Sequence, residues 1–145
     1  MSDPSADEPR PILLVEDDDD HRAATSDFLR EEGYLVVEAA NGRLALDYLL
    51  AAHPPPRLIL LDIDMPVMTG VEMLNVLQRY LRLSRIPVVL VSAELGGAPA
   101  SAAGVVDRLA KPFLLEDLLM VVQKHAGSGE VGAGLVPSKR DALPE

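Results

Sequence analysis

Three stretches of the chain are apolar at nearly every position: "PILLV" (11–15), "RLILL" (57–61) and "IPVVLV" (86–91). A strand with one wet face would alternate, so unbroken apolar runs of this length predict strands buried on both faces of a parallel sheet. "YLVVEAA" (34–40) is more mixed and predicts a strand nearer an edge, and "VVDRLA" (105–110) predicts a short final strand. Between these runs the apolar positions change to helical spacing. Ala24, Phe28 and Leu29 predict the inward face of a helix from Asp19 to Glu32, with Gly33 available to end it. Asn41 is placed to cap a helix running to about Ala52, with Leu44, Ala45, Tyr48 and Leu49 inward, before "HPPP" (53–56) stops it. Val71, Leu74, Leu77 and Leu81 mark another helix, and Leu115, Leu118, Leu119 and Val122 mark a last one through His125. Residues 93–104, "AELGGAPASAAG", make a poor helix because of the paired glycines and Pro99. Strands alternating with helices predict an α/β fold, a doubly wound parallel sheet of five strands with helices on both faces.

Composition narrows this picture. At 145 residues the chain suits one domain, and 48% hydrophobic content supplies a core even though aromatics are only 3%. The polar, Pro-rich start and the Gly-rich end predict flexible tails at 1–10 and 127–145 around a folded unit at 11–126. There is no Cys, which excludes disulfides, thiolate metal sites and Cys nucleophiles. No stretch has the character of a signal peptide or the ~20 apolar residues of a membrane span, so a cytoplasmic location is expected. A net charge of −10 repels phosphate backbones, which disfavours direct nucleic-acid binding and favours cations and basic protein faces.

In doubly wound sheets ligands bind beyond the carboxyl ends of the strands. Glu16 and Asp17 follow the first predicted strand, Asp62 and Asp64 the third, Ser92 the fourth and Lys111 the fifth. The set is chemically coherent. Asp17 and Asp62 together could hold one hard divalent cation such as Mg²⁺. Asp62 is a carboxylate able to attack phosphorus, Ser92 a hydroxyl donor, and Lys111 a point charge for a phosphoryl oxygen. Such a transfer needs mostly positioning and charge neutralisation. The run of five acids from Glu16 to Asp20 divides accordingly: Glu16 and Asp17 suit a metal site, and Asp18 to Asp20 suit a helix start.

In order and spacing, "ILLVEDD", "LILLDIDMPVMTG", "VVLVSA" and "LAKPF" resemble the motifs of the receiver domains of two-component response regulators. The resemblance covers about residues 11 to 126. It implies a flavodoxin-like strand order 2-1-3-4-5 and phosphorylation of Asp62 by the phosphohistidine of a sensor histidine kinase or phosphotransfer protein. It implies Mg²⁺ held by Asp17, Asp62 and the backbone carbonyl of Asp64, with Glu16 ordering water on the metal. Ser92 and Lys111 would contact the phosphoryl group, and the Lys111–Pro112 bond would be cis. With the chain read as stand-alone, output is expected through an unknown downstream protein or by phosphorelay, without turnover of a separate substrate.

Two positions depart from the family pattern. Arg108 stands where many receivers carry an aromatic, and the interval from Ser92 to Lys111 is short, at 19 positions. Arg108 is expected to stay at the surface near Glu94 or Asp107, and phosphorylation to act by ordering 93–104. Rival readings are a haloacid-dehalogenase-like phosphatase using Asp62 and Asp64, or a receiver fold serving as an unphosphorylated docking module. The phosphatase motif belongs after a chain's first strand, and every side chain expected of a receiver is present. His21, His53 and His125 lack ligand spacing and are expected to be solvent-exposed. "GSGEVG" (127–132) matches a dinucleotide motif in letters only, because it comes after a helix and opens no βαβ unit.

Overall fold

The computed structural model describes residues 9–52, 54–63, 65, 68–93 and 104–127. Five strands form one sheet in the order β2-β1-β3-β4-β5: β1 Ile12–Val15, β2 Val36–Ala39, β3 Leu58–Asp62, β4 Val88–Ser92 and β5 Val105–Ala110. Every pairing is parallel. Helices α1 (Asp19–Glu31), α2 (Gly42–Ala51), α3 (Gly70–Leu77), the single turn α4 (Leu81–Ser84) and α5 (Leu115–Ala126) connect the strands or close the chain of elements. The segment 94–103, where the sequence predicts a poor fourth helix, lies outside the described residues, as do Asp64, His53, Glu94 and most of both tails.

The uniformly apolar strands are buried throughout, because each faces helices on both sides. Period-two alternation divides their side chains into two cores. Leu13, Val15, Ile59, Leu61, Val88 and Leu90 pack with Ala45, Leu46 and Leu49 of α2, Met73, Leu74 and Leu77 of α3, and Leu83 of α4. Ile12, Leu14, Leu58, Leu60, Val89 and Val91 pack with Leu29 of α1 and with Leu118 and Val122 of α5. Each fully buried Leu or Ile contributes about 1.5–3 kcal/mol of transfer free energy.

Helix ends obey local chemistry. Asp18 caps α1 by accepting the His21 amide at 2.8 Å. Its C-terminus closes through Gly33 N–H to Arg30 O and Tyr34 N–H to Leu29 O, with Gly33 at φ 99°, the left-handed turn a glycine permits. Asn41 caps α2 through the Leu44 amide, as its position predicts. Thr69 and Glu72 form a reciprocal capping box at α3.

The rotation of each helix differs in part from the predicted stripes. On α1 the buried residues are Thr25, Ser26 and Leu29, and Ala24 is exposed. On α2 the buried stripe is Gly42, Ala45, Leu46 and Leu49, which leaves Leu44 outside. Val71, Leu81 and Leu115 are exposed as well. Leu81 falls out of phase because α3 stops at Leu77 and a separate turn begins at Leu81. For the others, a residue adjacent to the buried stripe is turned about 100° from it, and packing against the sheet selects the stripe that approaches closest.

Candidate functional site

Parallel register brings the chemistry to one end of the sheet. Ile63 N–H bonds Val91 O and Lys111 N–H bonds Ser92 O, so the ends of β3, β4 and β5 lie side by side. Glu16 N–H to Ala39 O places the end of β1 in the same row. Glu16, Asp62 and Ser92 are all buried, whereas Asp17 is exposed.

Two buried carboxylates need a positive partner, since an uncompensated buried charge costs several kcal/mol or more. Lys111 supplies it. Its Nζ stands 2.9 Å from Asp62 Oδ2 and 3.0 Å from Glu16 Oε1. The Lys111–Pro112 peptide bond is cis, as the resemblance implies. Burial by itself would lower the Lys111 ammonium's pKa; hydrogen bonds to Asp62 and Glu16 overcome that and raise it. Burial likewise pushes the Glu16 carboxyl up. Hydrogen bonds from Lys111, from the Asp18 amide at 3.1 Å and from His21 outweigh it, bringing the value down from 4.5 to about 2. Clustered acids alone would raise one another's pKa values; here the ammonium among them reverses the sign for Glu16.

Carboxylate oxygens of Glu16, Asp17 and Asp62 lie within 4.8 Å of one another. Three hard oxygen donors, two buried and one open to solvent, fit a Mg²⁺ ion that keeps waters and accepts a phosphate oxygen. Asp64 lies outside the described residues. The sequence-predicted residues Glu16, Asp17, Asp62, Ser92 and Lys111 therefore share one end of the sheet.

The structure adds neighbours that sequence reasoning missed. His21 places Nδ1 3.0 Å from Glu16 Oε1, and its ring meets Phe113 edge-on with centroids 5.3 Å apart. Arg22 donates through NH1 to the Glu16 carbonyl oxygen at 2.8 Å and also bonds Asp19 and Glu38. His21 is in the first turn of a helix next to the acidic run, which was a usable signal for its contact. Full solvent exposure does not describe His125 either, because its side chain is 16% exposed and Nε2 lies 2.9 Å from Asp107 Oδ2. That contact spans 18 positions and only the packing of α5 on β5 creates it. Arg108 is half-buried, its amide donates to Asp107 Oδ1, and Lys124 approaches Asp107 at 4.0 Å.

A family model for the response regulator receiver domain matches residues 12–123. The chain is 35% identical over 144 residues to a protein-glutamate methylesterase/protein-glutamine glutaminase of Geobacillus kaustophilus, covering 89% of this chain but 40% of that enzyme. It is 31% identical to sporulation initiation phosphotransferase F of Bacillus subtilis, covering 79% of this chain and 91% of that protein. Among solved structures, the receiver domain of sensor histidine kinase PA1611 from Pseudomonas aeruginosa matches at 28% identity and a TM-score of 0.73. That match covers 83% of this chain and all of the other, which has a magnesium ion coordinated in its active site cleft. Strand order, the acidic end of the sheet and these matches agree: the chain belongs to the response regulator receiver domain family, the phosphoacceptor modules of two-component signalling.

Proposed function

We propose that Asp62 accepts a phosphoryl group from the phosphohistidine of a histidine kinase or phosphotransfer protein. The observation that carries this is a buried Asp62 carboxylate 2.9 Å from the Lys111 ammonium, within 4.8 Å of Glu16 and Asp17 oxygens. An Asp62 oxygen attacks phosphorus, the phosphorus–nitrogen bond of the donor breaks, and the departing imidazole nitrogen takes a proton. Lys111 is near enough to track the charge from the carboxylate onto a phosphoryl oxygen, and the Ser92 hydroxyl lies at the end of the adjacent strand. Asp17, Asp62 and the Asp64 carbonyl would hold Mg²⁺, with Glu16 lining the same pocket; bound there, the ion neutralises charge on the transferring group. The receiver unit runs from 11 to 126, and phosphorylation is read out by a separate protein or by onward relay rather than by turnover of a small substrate.

Incubation with acetyl phosphate and Mg²⁺ should give a hydroxylamine-labile adduct that Asp62→Asn lacks. A hydroxylamine-stable adduct on a serine or histidine would overturn the assignment.

A further inference from the structure

We infer that His21 is a positioning residue for phosphoryl transfer, holding the Glu16 carboxylate in place when Lys111 turns toward the incoming phosphoryl group. This rests on Asp62 being the phosphoacceptor and adds to it a residue outside the metal and phosphoryl contacts.

The local backbone aims the ring. Asp18 accepts the His21 amide at 2.8 Å as the cap of α1, which fixes His21 in the first helical turn beside the end of β1. From there Nδ1 reaches Glu16 Oε1 at 3.0 Å. Glu16 faces the Lys111 ammonium on Oε1 and the Asp18 amide on Oε2, donors on both oxygens, so it sits here as a carboxylate, which only accepts. Nδ1 must therefore carry the hydrogen. The same Oε1 is 3.0 Å from Lys111 Nζ, so one oxygen has two donors from opposite parts of the chain.

Phosphorylation changes the demand on only one of them. A phosphoryl group on Asp62 places new negative oxygens beside Lys111, which is already 2.9 Å from that carboxylate. As the ammonium turns to those oxygens, Glu16 Oε1 loses it. What then keeps Glu16 oriented is the Asp18 amide on Oε2 and His21 on Oε1. The imidazole is itself braced, because it stands edge-on to Phe113 at an interplanar angle of 63°. Phe113 lies two residues after Lys111, so the ring joins the acidic end of β1 to the segment that carries the lysine. A side chain serving only to fill space would need the ring and not the nitrogen. With 41% of its side chain exposed, His21 can be altered without opening a core.

The test separates donor from bulk in the full chain. His21→Phe keeps a ring and removes the donor; His21→Asn keeps an N–H near the Nδ1 position and removes the ring. The Mg²⁺ concentration that gives half-maximal phosphorylation by acetyl phosphate is measured, and the same reaction is resolved into maximal rate and donor KM. His21→Phe should raise that Mg²⁺ concentration about ten-fold and lower the maximal rate with little change in donor KM, the usual scale for groups that orient a metal site. His21→Asn should stay within about three-fold of wild type for Mg²⁺. Nitrogen NMR of the metal-free protein should show the Nδ1–H tautomer. A wild-type Mg²⁺ requirement for phosphorylation in His21→Phe, equal losses in both variants, or an Nε2–H tautomer would each overturn the role. Should His21→Phe fail to fold, His21→Leu against His21→Asn makes the same comparison. Wild-type protein that neither binds Mg²⁺ nor forms an acyl phosphate would sink the reading of Asp62 too, whereas failure confined to the variants removes only His21.

Discussion

Replacing Glu16 by Gln in the metal-free protein should remove a specific part of its acid sensitivity. The Glu16 side chain is 4% exposed and receives Lys111 Nζ at 3.0 Å, His21 Nδ1 at 3.0 Å and the Asp18 amide at 3.1 Å. Burial works against the charged form, and these donors outweigh it, taking the carboxyl from 4.5 to about 2. Each pH unit in that interval is worth about 1.4 kcal/mol, so ionised Glu16 contributes on the order of 3 kcal/mol to folding. The folded value lies below the unfolded one. The contribution is therefore full well above pH 4.5, shrinks as pH falls through that value, and is gone below about pH 2. By pH 3 about 2 kcal/mol should already be lost. Urea unfolding monitored by circular dichroism in EDTA, for wild type and Glu16→Gln from pH 7 to pH 3, measures the difference between their stabilities. Gln keeps the shape and does not titrate, so that difference should narrow by about 2 kcal/mol in favour of the variant as pH falls. A difference flat to within about 0.5 kcal/mol, several times smaller than the expected change, would refute the assignment of a strongly stabilised carboxylate to Glu16.

Magnesium at ten times its dissociation constant should stabilise the fold by about 1.4 kcal/mol, seen as a raised Tm, and Asp17→Asn should abolish most of that rise. Thr69→Ala removes the hydroxyl that accepts the Glu72 amide, leaving the backbone N–H to Glu72 half of the α3 capping box, and should cost about 1 kcal/mol in denaturant unfolding. The His125 hydrogen bond, against a smaller effect of burial, holds the Asp107 carboxyl below its usual 3.8. Asp107→Asn should therefore lower stability at pH 7, with the loss shrinking as pH falls below 3.8 in a Tm series. Leu60→Ala, at a site 1% exposed between β1 and β4, should cost about 2–5 kcal/mol in the same unfolding assay.

The strands and the candidate site were legible in the chain for a local reason. Whether a strand is covered on both faces is written in whether its residues alternate, and "LILL" and "VVLV" do not. In a parallel sheet all strands end at the same edge. The residues at the carboxyl end of each apolar run, Glu16, Asp17, Asp62, Ser92 and Lys111, are thereby assembled before any contact is known. Helix caps were legible where one side chain meets its own backbone, as at Asn41.

Contacts between distant segments were not legible. Thr25 and Ser26 are buried while Ala24 faces water, because a helix turns about 100° per residue and the shape of the sheet beneath it chooses the stripe. From composition the acidic run suggests mutual repulsion and raised pKa values. Folding brings Lys111 from 95 positions away to within 3.0 Å of Glu16 and turns the shift downward. His125 carries no ligand spacing, yet it meets the Asp107 carboxylate across the packing of α5 on β5. The sequence by itself determined which residues arrive at the end of the sheet, since strand burial and strand ends are properties of neighbouring positions. Which atoms touch there, and so which groups stay charged, only the tertiary structure decided, because electrostatic energy depends on distances that close only when remote strands pair.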